Sequence, residues 1–395
     1  MIIEVHGAGF RNKGAELMLR TTVAELSRRL PNPTFAVDPT VGPFEQRGEL
    51  GLRQIVPPRW WMGRKRFRFC LAAQRMLGPL LTRYPFEDLA EIYGAVSLSH
   101  IDALVDVSGF AFSDQWGTDA IRDFGRLAKA YKKREKPVVM LPQGFGPFNK
   151  RASKEAATEM IESVDRVYAR DDVSLSHIRK RASDNEKICK SPDITLFYPN
   201  KIEEVSPPEK AEYSCIIPNI RMLDQGGDKW GDRYEDVLAH IGNTLQDNGE
   251  NVCFLIHDVS GKDELIAERV QKNIKGNTEV IRKSNPISLK KFISKSRIVV
   301  TSRYHGAVAA FSRGVPSICM GWAHKYEMLY DDFNMKDNVI YPEYKLGKIS
   351  DIIENILRDE ENKRYRVEIL SKLIEMKKNN DKMWSEISGY LRNIG

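Results

Sequence analysis

The sequence predicts an α/β protein with two Rossmann-like domains and a helical C-terminal tail. Short apolar runs alternate with segments of helical periodicity, which is the order of elements in a parallel sheet. The run 137–142, Pro-Val-Val-Met-Leu-Pro, is apolar at successive positions, as expected for a strand that helices cover on both faces. A proline-rich, charged stretch at 198–212 interrupts this order, which then starts again.

The elements follow in chain order from these patterns. The apolar runs of the first half predict strands at Ile2–His6, Phe35–Val37, Ala103–Val107, Val138–Leu141 and Arg166–Ala169. Those of the second half predict strands at Cys215–Pro218, Val252–Ile256, Ile298–Thr301 and Ser317–Met320, with helices near 232–247, 262–274 and 287–295. Beyond about residue 348 the pattern is helical and highly charged.

The chain has 395 residues, which is more than a single hydrophobic core usually supports. These patterns divide it into three parts. We predict an N-terminal Rossmann-like domain over 1–200, with an insertion at 40–100, and a C-terminal Rossmann-like domain over 213–347. The remaining residues, 348–395, are predicted to form C-terminal helices.

Charge and composition narrow the class of partner only in part. The formal charge of +7 comes from 61 basic and 54 acidic residues, and it suits an acidic substrate, anionic lipid or nucleic acid. The basic residues show no nucleic-acid-binding signature, so we predict no nucleic-acid partner. The five cysteines show no Cys-x-x-Cys spacing, and the sequence has neither a secretory signal pattern nor an apolar run of about 18 residues. We therefore expect a cytoplasmic protein.

The segment from Arg59 to Leu81 has two interpretations. Paired tryptophans and a cluster of arginines precede several apolar residues, a composition typical of an element that lies on a membrane surface. The same pattern suits a helical insertion that packs its apolar side on the domain and turns its arginines to water. The sequence leaves both open, so peripheral contact with the inner face of the membrane is an expectation.

A glycine-rich loop follows the first predicted strand. Gly9, Asn12 and Gly14 lie between this strand and a helix, where glycine lets the backbone approach a ligand and the helix amino end offers unpaired N–H groups to an anion. The spacing matches neither the dinucleotide fingerprint nor a Walker loop. The loop is therefore either a ligand site or a tight turn.

Two further polar residues follow predicted strands directly. Asp106 and Gln143 stand where an open α/β sheet places its functional loops. Either side chain suits a sugar hydroxyl, and Asp106 is also a candidate base. Capping of a helix or formation of a turn explains both equally well.

The most informative segment is the turn Ser302-Arg303-Tyr304-His305, which joins a strand to a helix of small residues. An arginine fork matches a carboxylate or a phosphate in bidentate fashion, and a histidine at such a turn is suited to proton transfer near neutral pH. The alternative is a purely structural arginine and histidine pair.

Together these segments resemble the polysaccharide pyruvyltransferase family, from Gly7 to about Asp332. The segments that carry the resemblance are Gly9–Glu16, Asp106–Gly109, Pro142–Pro147, Ala169–Asp171, Pro192–Asp193, Ser302–Gly306, Gly314–Pro316 and His324–Tyr326. Gly144 stands where this family often has serine, and Ser108 where it often has glycine. These departures concern the identity of the acceptor more than the type of reaction.

The resemblance implies a glycosyltransferase-B-like fold with the active site in the cleft between an acceptor-side N-terminal domain and a donor-side C-terminal domain. It also implies phosphoenolpyruvate as donor substrate, no further cofactor, and a cell-surface or lipid-linked saccharide as acceptor. In this family the residues that match Arg170, Arg303 and His305 serve donor binding and catalysis. Lys325 is a further candidate for donor binding.

These residues suggest a mechanism in which the arginines hold the anionic groups and His305, as imidazolium, protonates the methylene carbon. A sugar hydroxyl then attacks, and Asp106 is a candidate for accepting its proton. The basic residues suffice to balance the donor's charge, and no clustered ligand spacing indicates a metal. Two alternatives remain: a glycosyltransferase that uses a nucleotide sugar, and a non-catalytic saccharide-binding protein of a polymer-assembly complex.

Overall fold

The computed structural model describes residues 1–56, 94–198, 211–224, 226–231, 233–283, 285–321 and 323–393. The segment from Arg59 to Leu81, for which the sequence suggests membrane contact, lies outside them, as do most of the predicted linker and of the predicted insertion. Among the helices that the structure describes, none combines the length and the apolar character that crossing a bilayer requires.

The first sheet contains eight parallel strands in the order β4-β3-β2-β1-β5-β6-β7-β8. They are β1 (Ile2–His6), β2 (Thr34–Val37), β3 (Arg53–Val56), β4 (Ala95–Ser97), β5 (Ala103–Asp106), β6 (Val138–Gln143), β7 (Arg166–Ala169) and β8 (Ile188–Lys190). The helices between them are α1 (Lys13–Arg29), α2 (Phe44–Glu49), α3 (Asp119–Lys132), α4 (Arg151–Glu162) and α5 (Asp172–Arg179).

The second sheet contains six parallel strands in the order β11-β10-β9-β12-β13-β14. They are β9 (Tyr213–Ile217), β10 (Val252–Ile256), β11 (Glu279–Arg282), β12 (Ser296–Thr301), β13 (Ser317–Met320) and β14 (Val339–Ile340). The helices here are α6 (Arg221–Asp224), α7 (Gly227–Trp230), α8 (Arg233–Asp247), α9 (Lys262–Gln271), α10 (Pro286–Ile293), α11 (Tyr304–Phe311) and α12 (His324–Asp332).

Two C-terminal helices complete the chain, α13 (Leu346–Leu357) and α14 (Asp359–Arg392). With 34 residues, α14 is about 50 Å long. Its first half buries Ile369 and Leu373 in the core of the second sheet. Its second half buries Trp384 and Leu391 in the core of the first sheet, so that one helix packs on both halves of the molecule.

The predicted fold class is confirmed. Four of the five strands that the sequence analysis does not predict lie at sheet edges, namely β4, β8, β11 and β14, and the fifth, β3, lies beside the edge strand β4. β6 shows why the central strands are predictable, because all six of its residues are buried, and a strand that helices cover on both faces is apolar throughout. By contrast, β4 has three residues and β14 only two. Segments of that length carry too little pattern to be predicted from sequence.

Each sheet changes winding direction beside its first strand. In the first sheet β1 lies between β2 and β5, and in the second β9 lies between β10 and β12. The loops after such a pair of strands diverge and leave a crevice at the carboxyl ends, which is where open α/β sheets bind ligands. The loops after β1, β5, β9 and β12 are therefore the ones to examine.

Candidate active site

A cavity of about 500 Å³ lies where these loops from the two sheets meet. The first half contributes residues from the loops after β1, β5 and β7, and the second half from the loops after β9, β10 and β12. The polar residues among its lining are Arg11, Asn12, Ser108, Arg170, Asn219, Arg221, His257, Asp258, Arg303, Tyr304, His305, Lys325 and Tyr326. The predicted Arg170, Arg303, Tyr304, His305, Lys325 and Asn12 are thereby brought together.

The glycine-rich loop forms one wall of this cavity and buttresses a catalytic candidate. Asn12 caps α1, and its Oδ1 accepts a hydrogen bond of 2.9 Å from the Gly14 amide. A Cβ at position 14 would lie 2.1 Å from Nδ1 of His305. Gly14 is therefore needed to make room for the histidine ring rather than to touch a ligand. A Cβ on Gly9 would meet no atom within 4 Å, so packing does not require glycine there.

The same loop is fixed to the second half of the molecule. The Val259 amide donates to the carbonyl oxygen of Arg11 at 3.4 Å, and the Lys13 amide donates to that of His257 at 3.5 Å. Asn12 and Asp258 form an isolated antiparallel bridge. The loops after β1 and β10 thus hold each other, and both line the cavity.

Arg170, at the end of β7, is the cation with the most unused hydrogen-bonding capacity. Its side chain is 2% exposed, and its Nη1 lies 3.7 Å from Oδ2 of Asp193. Nε and Nη2 are buried and have no hydrogen-bond partner among the described residues. The guanidinium stacks over the ring of Tyr304, 3.9 Å from its centroid. Buried hydrogen-bond donors without partners lower the stability of the folded protein. An anionic ligand that accepts hydrogen bonds from them would remove this penalty, so the guanidinium is suited to binding an anion.

Arg303, which precedes α11, is held differently. Its Nη2 donates to Oδ1 of Asp263 at 2.6 Å, and its Nη1 lies 3.5 Å from Oδ2 of Asp258. The Asp263 carboxylate is fully buried and also accepts a hydrogen bond from the Ile220 amide. Arg303 is therefore part of a buried ion-pair network, and its side chain also lines the cavity.

His305, on the first turn of α11, is buried beside a carboxylate. Its Nε2 lies 3.7 Å from Oδ2 of Asp193, and neither atom has a hydrogen-bond partner among the described residues. Burial lowers the pKa of His305 to about 4, although Asp193 opposes the shift. The predicted imidazolium is thus not the form favoured in this structure. An anion bound beside the ring would favour the proton.

Lys325, at the beginning of α12, lies among aromatic rings. Its Nζ is 4.6 Å from the centroid of Phe110, 5.3 Å from that of Tyr326 and 5.8 Å from that of Tyr304. Burial, followed by the charges of Arg170 and Arg303, lowers its pKa well below the usual value. Burying the charged form of Lys325 is unfavourable in free energy, and this penalty decreases when an anion enters the cavity.

Asp106, the predicted base, is not among the described residues that line the cavity. Its carboxylate is fully buried. It accepts hydrogen bonds of 2.6 Å from Ser108 Oγ and 2.7 Å from Gln143 Nε2, and Nδ1 of His6 lies 2.7 Å away. Because these groups occupy both oxygens, Asp106 and Gln143 join the ends of β1, β5 and β6 behind the cavity. Gln143 is likewise outside the described cavity lining, and its Oε1 has no hydrogen-bond partner among the described residues.

Ser302 is also outside the described cavity lining. It is fully buried, and its hydroxyl accepts a hydrogen bond of 2.8 Å from Tyr234. Its carbonyl oxygen accepts hydrogen bonds from the Asn219 amide group and the Tyr326 hydroxyl. These contacts fix the turn that presents Arg303 and His305 to the cavity.

Sequence reasoning missed two groups of residues at the site. Asp193 and Asp263 are the buried carboxylates beside His305 and Arg303. Asp193 follows β8 and Asp263 lies in α9, so both are distant in sequence from the turn that they contact. His257 and Arg221 line the cavity directly. Two signals were available, because the segment Pro192–Asp193 carries the family resemblance and His257 follows an apolar strand without interruption.

The described cavity lining is rich in basic side chains. Its lining contains Arg11, Arg170, Arg221, Arg303 and Lys325 against one carboxylate, Asp258. Within the described ranges, no group of three His, Cys, Asp or Glu side chains is arranged to hold a metal ion. The arrangement can bind a small polyanion and present two histidines to it.

Comparisons with known proteins place this site in a family context. The sequence model of the polysaccharide pyruvyl transferase family matches residues 12–324. The amylovoran biosynthesis protein AmsJ of Erwinia amylovora is 21% identical over 287 residues, which cover 65% of this chain and 67% of AmsJ.

Solved structures with the same fold include S. aureus MnaA bound to UDP, with a TM-score of 0.56 and 10% identity over 93% of this chain and 90% of that one. The UDP-GlcNAc 2-epimerase of Methanocaldococcus jannaschii has a TM-score of 0.54 and 12% identity, and the match covers 92% of this chain and 94% of that one. The galactosyltransferase WaaB has a TM-score of 0.51 and 14% identity, and the match covers 97% of this chain and 99% of that one. At these identities the likeness shows only the glycosyltransferase-B-like fold.

The family match covers well over half of the chain and spans the cavity-lining residues from Asn12 to the beginning of α12. Together with the relative in amylovoran biosynthesis, it indicates an enzyme of pyruvate transfer in polysaccharide biosynthesis. The chain belongs to the polysaccharide pyruvyl transferase family.

Proposed function

We propose that the protein transfers the pyruvyl group of phosphoenolpyruvate to a sugar of a cell-surface or lipid-linked saccharide, forming a ketal and releasing phosphate. The observation that carries this proposal is the excess of cations in the cavity, five Arg and Lys side chains against one carboxylate. Phosphoenolpyruvate carries a carboxylate and a phosphate on a three-carbon frame. Both groups need positive partners in a site of this size.

In this proposal Arg170 and Lys325 are the principal donor-binding groups. Arg170 has two buried nitrogens without partners, and Lys325 lies against the same aromatic ring of Tyr304. Arg303 adds charge from within its ion-pair network. The bound anion favours protonation of His305, which then donates a proton to the methylene carbon and creates oxocarbenium character at the central carbon. No further cofactor takes part in this sequence.

Thermal stabilisation tests the donor. A ligand that binds only the folded protein stabilises it by RT ln(1 + [L]/Kd), so we expect millimolar phosphoenolpyruvate to raise the melting temperature. The Arg170→Gln variant should show little or no shift, because it lacks the principal anion partner. Stabilisation by UDP-sugars but not by phosphoenolpyruvate would refute the donor assignment and favour a nucleotide-sugar transferase.

A second cavity provides room for the saccharide. It has a volume of about 740 Å³ and shares Tyr326 with the first cavity. Its lining includes Tyr341, Glu327, Glu343 and Lys229. Tyrosine rings and carboxylates offer the apolar faces and hydrogen-bond acceptors that sugar rings require. We assign the sugars beyond the one that is modified to this cavity. Its described lining lies in the C-terminal half, so this proposal differs from the expectation that the N-terminal domain holds the acceptor.

The Tyr341→Ala variant tests that assignment. We expect the KM for a saccharide acceptor to rise about 3- to 10-fold, as for the loss of one aromatic contact, with an unchanged KM for phosphoenolpyruvate. Tyr344→Ala is the matched control, since Tyr344 touches the ring of Tyr341 but does not line the cavity. Equal effects of the two variants, or an effect on the donor, would count against the assignment.

A further inference from the structure

The cavity contains a second histidine to which the mechanism above gives no role. His257 directly follows β10, is 3% exposed and lines the cavity together with His305. Its Nδ1 is buried and has no hydrogen-bond partner among the described residues. A buried ring nitrogen without a hydrogen-bond partner lowers the stability of the folded protein. The ring belongs to the wall of the cavity in which the proposed reaction takes place.

The surroundings of His257 favour its neutral form. Burial, followed by the charges of Arg303, His305 and Lys13, lowers its pKa well below the usual value. The nearby carboxylates are already engaged. Asp258 lies 3.5 Å from Arg303 and accepts a hydrogen bond from the Ser260 amide.

The two histidines of the cavity therefore differ in environment. His305 lies 3.7 Å from the Asp193 carboxylate, and cations surround His257. Burial lowers the pKa of both histidines, but only His305 has a carboxylate beside it that favours the proton, and such a difference in surroundings suits a general acid and a general base. Among the described residues of the lining, His257 offers a ring nitrogen without a hydrogen-bond partner that suits a hydroxyl proton.

We propose that His257 is the general base that takes the proton from the attacking hydroxyl of the saccharide while His305 acts as the general acid. This inference rests on the proposed function. In the first half-reaction His305 gives its proton to the methylene carbon, which becomes a methyl group. The sugar oxygen bonds to the central carbon, and the hydroxyl proton passes to His257.

The second half-reaction restores both histidines. The bond between the central carbon and the phosphate oxygen breaks, and protonated His257 gives its proton to the departing phosphate. A second hydroxyl of the same sugar bonds to the central carbon and gives its proton to His305. One methyl group, one ketal and one hydrogen phosphate are formed, and His257 is again neutral and His305 protonated.

Two variants of His257 test this role. We expect His257→Gln and His257→Ala to lower kcat about 100- to 10,000-fold, the usual contribution of general acid–base catalysis. Both should retain the phosphoenolpyruvate affinity of the wild type, measured by calorimetry. His100→Gln is the matched control, because His100 is exposed and is not among the residues that line the cavity, and it should leave kcat unchanged.

Chemical rescue separates a base from a structural histidine. Added imidazoles should restore transfer by His257→Ala, with a rate that increases with the basicity of the imidazole, and they should not affect His100→Gln. A folded His257→Gln protein within tenfold of wild-type kcat would overturn the proposal, as would a loss that no imidazole restores. If His257→Ala does not fold, the kcat of His257→Gln decides. A wild-type protein that transfers nothing from phosphoenolpyruvate would instead refute the proposed function, and this inference with it.

Discussion

The His305→Gln variant is expected to lose transfer almost completely while it still binds phosphoenolpyruvate. The proton that His305 donates matters in the transition state and adds little to ground-state binding, so kcat should fall about 100- to 10,000-fold with a small change in donor Kd. That factor corresponds to roughly 3 to 5 kcal/mol of barrier. Near-normal turnover in a folded His305→Gln protein would refute the mechanism.

The His305→Gln variant also tests whether donor binding takes up protons. His305, with its pKa held near 4 by burial, is neutral in the free protein near neutral pH. A bound polyanion raises this pKa, so donor binding should take up protons and strengthen as the pH falls from neutral. Calorimetry in buffers of different ionisation enthalpy measures the uptake, which His305→Gln should reduce. Identical uptake in the two proteins would exclude His305 as the group that titrates.

Arg303→Ala is expected to have the largest effect on stability. It leaves the fully buried Asp263 carboxylate without its partner, and breaking a buried ion pair in this way costs about 3–5 kcal/mol. Denaturant titration should show that loss in the free energy of unfolding. Arg170→Ala should cost much less stability, since its nearest carboxylate oxygen is 3.7 Å away, but it should abolish stabilisation by phosphoenolpyruvate.

A second substitution controls for the fold in that comparison. Asp263→Asn in the Arg303→Ala background removes the unpaired charge and keeps the side-chain oxygen that accepts the hydrogen bond from the Ile220 amide. Stability should recover in part, and donor binding should remain weak. Full recovery of transfer would mean that Arg303 serves the fold alone.

The sequence carries enough information for the fold class and for the turn at the centre of the site. Central strands such as β6 are continuous apolar runs, and Arg303 and His305 follow one of them directly. Both features depend on neighbouring residues in the chain. Asp106 shows the limit, because an aspartate at the end of a strand looks the same in sequence whether its oxygens are open or occupied by His6, Ser108 and Gln143.

The partners that set protonation could not be predicted, because they come from distant parts of the chain. Asp193 precedes a turn between the two sheets, yet lies beside His305. Asp263, in α9, holds Arg303 across 40 positions of sequence. Gly14 resembled an anion-binding glycine, and only the packed structure shows that the His305 ring takes its space. Such contacts depend on tertiary packing, which has no local pattern.

Transfer from phosphoenolpyruvate in deuterated water tests the central claim most directly. The protein is incubated with the donor and lipid-linked saccharides, and phosphate release and the isotopic content of the product are measured. The account predicts phosphate release and a pyruvyl ketal whose methyl group contains one solvent deuteron, since the methylene carbon is protonated during transfer. Nucleotide release from UDP-sugars, with no phosphate released from phosphoenolpyruvate, would contradict it.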